Sequence, residues 1–296
     1  MYRSVARSSE VIAVSPNERP RTSGIARSRG FWSGTIVLFA LCVFSFIGPS
    51  VYLQDATTIN VNQQLLPPSW KFPLGTNVLG QNELARLMLG GQLPIAAGIV
   101  TTLIVMFIGI ATGVLAGVRG GVWDNVLMWI TDGVMSIPQV VLVLFIEVTH
   151  GSTPVVLVLA VSLTAWPAAA RVVRSQVLLI RQMEYVQAAR AVGNPETRLI
   201  MRHIIPNLTD TILAVGASQF ANSVLVLAIA TFVGLGVGSF DWASMMASDF
   251  RDVVSGQWWL VVPPGVLFSA LILSVYSIGE SARQALRPSG RLTGGR

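Results

Sequence analysis

LPIAAGIVTTLIVMFIGIATGVLAG, residues 93–117, is 25 residues long and carries no charged side chain. At about 1.5 Å of rise per residue, such a run makes a helix longer than the ~30 Å hydrocarbon core of a bilayer. Gly109, Gly113 and Gly117 recur every four residues within it, the spacing of a close helix-packing face. This stretch alone excludes an ordinary soluble domain.

Four further runs reach span length: Phe31–Leu53, Val126–Val148, Leu208–Val237 and Trp258–Ile278. A shorter one, Pro154–Val173, carries Arg171 at its end. Six transmembrane helices are predicted, in an all-α integral membrane protein. The composition agrees: 52% of the 296 residues are hydrophobic and 11% charged, against about a quarter charged in soluble domains. Cys42 is the only cysteine, and His150 and His203 are the only histidines. An intrachain disulfide is therefore impossible, and no metal site is expected.

The net charge of +6 does not point to nucleic acid, because the arginines cluster between apolar runs. With the N-terminus cytoplasmic, 17 of the 20 basic residues fall on the inside, leaving Lys71, Arg86 and Arg251 outside. The positive-inside rule thus predicts both termini in the cytoplasm. The expected organisation is a polar, disordered cytoplasmic tail over 1–30 and a first span over 31–53, read as an uncleaved anchor. An extracytoplasmic segment covers 54–92, and a five-span core with a large inner loop at 181–207 covers 93–283. A cytoplasmic tail over 284–296 closes the chain.

The inner loop is the informative segment. It reads Glu184-Tyr185-Val186-Gln187-Ala188-Ala189-Arg190-Ala191-Val192-Gly193-Asn194-Pro195-Glu196, then continues to Arg202-His203-Ile204-Ile205-Pro206-Asn207. Tyr185, Ala188, Ala189 and Val192 fall on one apolar helical face. Gly193 stands where a helix end calls for positive φ. Asn194 is expected to cap a second helix with Pro195 at its first position, and Pro206 to close it. A compact element of this kind on the inner face is built to dock.

The stretch resembles the Glu-Ala-Ala ("EAA") loop of bacterial ABC importer permeases, with Gln187, Ala188, Ala189, Gly193, Ile205 and Pro206 in its places. Gln187 replaces the usual acid and His203 an apolar residue. Glu184-Tyr185 and Arg202-His203 match the version in the C-type permease subunit of the dipeptide/oligopeptide (peptide/nickel) ABC importer family. The segment Leu74–Asn82 is similar to that subunit's external motif, with Asn77, Gln81 and Asn82 where Asp, Arg and Asp are usual. Gly120–Asp124, Phe232–Gly236 and Ala285–Pro288 extend the resemblance.

The resemblance implies a type I ABC importer permease arrangement in the bacterial cytoplasmic (inner) membrane. It implies a heterodimer with a related B-type permease, two ATPase subunits and an extracytoplasmic substrate-binding protein. The loop residues, Arg190, Asn194 and Arg202 included, would couple to the ATPases, which would bind ATP and Mg; this chain would hold no cofactor. Lys71 is the only lysine and lies outside any phosphate-binding motif, so ATP hydrolysis belongs to another chain. The implied cargo is a di- or oligopeptide, with nickel, glutathione or haem as alternatives.

Asp132, Ser136, Gln139, Val143 and Glu147 step by helical spacing along the predicted third span. Ser218, Gln219, Asn222 and Ser223 form a second polar cluster in the fifth. Both groups read either as translocation-pathway lining or as hydrogen bonding between helices, with Glu147 reaching the outer interface. In an ion-coupled secondary transporter, the rival class, Asp132 and Glu147 would be ion sites. A membrane enzyme would need a cluster of catalytic groups at one face, and the sequence offers none. Gly234–Gly238 follows an apolar helix, not a strand, and so is no dinucleotide site. The sequon Asn207-Leu208-Thr209 is placed inside by topology.

Overall fold

The structure, a computed structural model, describes residues 28–235, 241–253 and 255–286. The predicted disordered tail up to residue 27, the end of the glycine-rich run at 236–238 and the closing Arg287-Pro288 lie outside the described residues. The described residues are built from helices: α1 (Arg29–Val51), α2 (Glu83–Gly90), α3 (Gln92–Arg119), α4 (Gly121–Met135), α5 (Gln139–His150) and α6 (Pro154–Ile180). They continue with α7 (Glu184–Ala191), α8 (Glu196–Leu199), α9 (Thr209–Ala230), α10 (Trp242–Val253) and α11 (Val262–Leu286). Five helical stretches among the described residues are long and apolar enough to cross a membrane, and α4 with α5 makes a sixth if the bent pair is one span.

The glycine repeat of α3 packs on α6. A Cβ at Gly109 would lie 2.6 Å from the Ala169 Cβ, one at Gly113 2.6 Å from the Ala170 carbonyl oxygen, and one at Gly117 2.6 Å from a Val177 methyl. Lipid tails are as apolar as Leu, so close backbone approach is what brings such helices together. On the other side of α3, Phe220 and Val224 of α9 close over Gly98. Two buried clusters mark the ends of the bundle. One, at the end expected to face outward, joins Leu41, Leu87, Ile95, Val224, Trp242 and Leu271. The inner one joins Val114, Val118, Val173, Val177 and Ile180 to Val186, Ile204 and Leu208 of the inner loop.

The predicted third span is not one helix. It breaks between Met135 and Gln139, and its halves meet at 77°. Pro138 lacks an N–H and disfavours helical geometry at Ile137, so the chain turns there. The expected continuous stripe from Asp132 to Glu147 is therefore divided between two helices. Neither α4 nor α5 alone is long enough to cross the bilayer.

Candidate functional site

The inner loop begins where α6 runs two turns past its expected end. The Arg181 guanidinium donates to the Gly117 carbonyl at 2.8 Å, satisfying an open carbonyl at the end of α3. Glu184 stands in the first turn of α7 and Arg190 in its last, each complementing the helix dipole. The helix ends in a Schellman arrangement: Gly193 N–H bonds Arg190 at 3.0 Å and Asn194 N–H bonds Ala189 at 3.4 Å. Gly193 has φ 84°, the left-handed geometry that its place in the sequence requires. A Cβ there would meet nothing within 4 Å, so the demand for glycine comes from the backbone alone.

Three details differ from expectation. Asn194 does not cap α8: its side chain turns back and donates to Ala189 at 2.8 Å, and Pro195 occupies the cap position. Pro206 does not end the second helix. A π turn over Ile200–Ile204 and a 3-10 turn over Ile205–Leu208 carry the chain into α9; a change of helical pitch accommodates the missing N–H. The face of Tyr185, Ala188, Ala189 and Val192 is not the buried one. Val186 is buried, wedged into the inner cluster, while Val192 is 85% exposed and Met201 67%.

The outward side of the loop carries Glu184, Tyr185, Gln187, Ala188, Arg190, Gly193, Arg202 and Pro206, all exposed, with Ala189, Asn194 and His203 half-buried. Tyr185 and His203 lie ring to ring, with centroids 6.1 Å apart, and partial burial raises the Tyr185 hydroxyl above its ordinary range. Gln187 donates to the Gln182 carbonyl at 3.0 Å, and Asn207 donates to that of His203 at 2.6 Å. The result is a rigid element seated by Val186, Leu199, Ile204 and Leu208, with an apolar and basic surface left open.

The candidate pathway residues separate into distinct settings. Asp132 pairs with Arg171 of α6, both largely exposed, and nearby Asp124 is gripped by Arg174 through two contacts of 2.5 and 2.6 Å. Ser136 bonds only its own turn, at the Gly133 carbonyl. Gln139 and Asn222 are brought together, the Asn222 amide donating to the Gln139 side-chain oxygen at 3.2 Å. Ser218 bonds the Val215 carbonyl. Gln219 and Ser223 are buried, with Gln219 Oε1 and Ser223 Oγ lacking a partner. Glu147 is also buried.

Sequence reasoning missed a buried charge cluster beside α2 and α10. Arg86 donates to Glu83 at 2.9 Å and to Asp249 of α10 at 3.5 Å, and all three side chains are at most 6% exposed. Glu83 and Arg86 sit three apart on α2, a visible signal; Asp249 is far along the chain and gives none. Beside them, the three positions where charges are usual in the resembling family form a neutral amide network. Asn77 donates to the Gln81 side chain at 3.0 Å, Gln81 to the Thr57 carbonyl at 3.0 Å, and Asn82 to the Tyr52 hydroxyl at 2.9 Å.

Among the described residues no group of three or more His, Cys, Asp or Glu could hold a metal ion. Residues 109–288 match the family described as binding-protein-dependent transport system inner membrane component. The chain is 30% identical to the probable D,D-dipeptide transport system permease protein DdpC of Escherichia coli, over 95% of this chain and 97% of that one. It is 30% identical to the dipeptide transport system permease protein DppC of Bacillus subtilis, over 88% and 82%. Its fold matches a solved inward-facing structure of the MetNI methionine ABC transporter with a TM-score of 0.59 at 19% identity, covering 69% of this chain and 97% of that one. The chain belongs to the family of binding-protein-dependent transport system inner membrane components, and is a multi-pass permease subunit of an ABC transporter whose ATPase subunits are separate chains.

Proposed function

We propose that this permease imports di- or oligopeptides as one half of a heterodimer with a related B-type subunit. Two ATPases would dock on its inner loop, and an extracytoplasmic binding protein would deliver cargo at the outer face. Support for the cargo comes from the near end-to-end similarity to a dipeptide permease, 95% of this chain. Support for the docking role comes from the loop: its apolar anchors Val186 and Ile204 are buried, while Tyr185, Val192 and Met201 face outward without cover.

In this reading both termini are cytoplasmic, following the arginine distribution. ATP binding would close the ATPases and move α7 and α8 with them. The inner cluster of Val177, Ile180, Val186, Ile204 and Leu208 would pass that movement to α3, α6 and α9. The polar groups along α4, α5 and α9, among them Ser136, Gln139, Ser218 and Asn222, would line the route.

The test is reconstitution of this chain with its B-type partner, ATPases and binding protein in liposomes, followed by uptake of a radiolabelled tripeptide. ATP-dependent uptake is expected. Uptake driven by an ion gradient without ATPases would replace this reading by secondary transport. For orientation, a reporter active only outside the cytoplasm should give signal after Pro68 and none after Arg287.

A further inference from the structure

Glu147 is 1% exposed, and neither of its carboxylate oxygens has a hydrogen-bond partner. It lies on α5 one turn beyond Val143, which packs among Leu157, Val161, Val226 and Ala230 of α6 and α9. A lone carboxyl inside a membrane protein is costly and calls for a cationic partner or a proton. Among the described residues no basic side chain pairs with it, and the arginines of α6, Arg171 and Arg174, are engaged with Asp132 and Asp124.

The helix that carries Glu147 has a second feature. It starts inside the predicted third span, at the Pro138 break, and no side chain caps its first turn. Its leading N–H groups therefore form a positive end, beside a Gln139 amide nitrogen that is buried without a partner. Gln139 and Glu147 are eight positions apart, about 12 Å along a helix. An extended peptide advances about 3.3–3.6 Å per residue, so three to four residues cover that distance. Helix α5 thus offers positive character at one end and an unpaired carboxyl near the other, the complement of a short zwitterionic peptide. It is also lightly held, with Val143 and Glu147 its only buried residues.

We propose that Glu147 receives the N-terminal ammonium of the transported peptide when α5 parts from α9, with the peptide's carboxylate toward Gln139 and the start of α5. This rests on the peptide reading of the transporter and adds a specificity residue to it. The peptide runs antiparallel to α5, so removing its positive end removes the interaction with Glu147 and leaves the rest.

The experiment uses nanodiscs holding the two permeases and two ATPases, without binding protein, and measures retention of radiolabelled trialanine against N-acetyl-trialanine. The wild-type complex should retain trialanine about tenfold better, the order expected for a desolvated charge pair. In Glu147→Gln the ratio should fall to about one, and in Glu147→Asp it should be partly restored. Because each variant is read as a ratio of two ligands, a merely structural role moves both together. A ratio near one in the wild type, an unchanged ratio in Glu147→Gln, or equal loss of both ligands overturns the proposal. Uptake of trialanine by the complete wild-type system is read separately, and its absence overturns the peptide reading itself.

Discussion

The two segments that carry the motifs, residues 54–92 (the outer segment of the sequence reading) and 181–207 (the inner loop), place the polar side chains in and beside those motifs in opposite ways. In the outer segment they turn inward: Thr76, Asn77, Gln81, Asn82, Glu83 and Arg86 are all buried, each with a partner inside the chain. Trp242 adds a hydrogen bond of 2.8 Å to the Leu87 carbonyl, so α2 and α10 form one unit. In the inner loop the motif residues turn outward, and burial is left to a few aliphatic anchors. A segment whose buried polar side chains each find a partner inside the chain, even with Glu83 Oε1 and Arg86 Nε left over, is part of the permease's own fold. Both segments keep apolar side chains uncovered, Ile59, Val61 and Trp70 in the first and Val192 and Met201 in the second, so the contrast lies in the motif residues, which are folded inward in one and left facing out in the other.

The largest effect should come from the outer segment. Arg86→Met leaves Glu83 and Asp249 buried beside each other without the guanidinium, and breaking a buried pair costs about 3–5 kcal/mol. Thermal unfolding in detergent should show a large loss of stability, whatever ATPase is present. A stability close to wild type would mean that the outer segment is no more a part of the core than the loop.

Next comes the inner joint. Gly193→Val places a β-branched residue at φ 84° and should cost on the order of 1–2 kcal/mol of backbone strain. With nothing to clash against, the membrane bundle should stay folded while α8 is re-aimed. Import should fall and ATP hydrolysis should lose its response to loaded binding protein. Gly193→Asn should be gentler. Wild-type coupling in both variants, measured by parallel transport and ATPase assays, would make the loop a passive connector.

Much of this contrast was legible in the sequence, and the parts that were not share a cause. Span positions, the Gly193 turn and the α3 glycine face are local: apolar length, one helix end, one spacing. The break at Pro138 escapes a hydropathy reading because the apolar runs on either side average over Ser136, Pro138 and Gln139. Which side of α7 is buried could not be read from periodicity, because Val186 competes with the Tyr185–Val192 face and only packing against Val177 and Leu208 decides. The Glu83–Arg86–Asp249 cluster depends on a contact distant in sequence, invisible to any local pattern.

A smaller effect belongs to the rim of the outer segment. Asp55 accepts from the Thr57 and Thr58 hydroxyls, which together with the Thr57 amide hold its carboxyl down at about 2. The folded value lies below the unfolded one of about 3.9, so the ionised form favours the fold. Its contribution is fully present above about pH 4 and is lost as pH falls through about 2. The difference in unfolding midpoint between wild type and Asp55→Asn should be small, constant from pH 7 to 5, and should shrink on acidification. A difference that grows on acidification would contradict these contacts.

The inner surface is tested most directly by a cysteine at its most exposed apolar point. Val192→Cys, in a Cys42→Ala background, should leave stability within about 0.5 kcal/mol, as for a surface change. Labelled with a photoreactive maleimide and illuminated in the assembled transporter, position 192 should form a covalent adduct with an ATPase subunit. It should also become protected from a water-soluble thiol reagent when the ATPases are added. An intact complex in which position 192 forms no ATPase adduct, and reacts as fast as in the permease alone, would contradict the docking role of this loop.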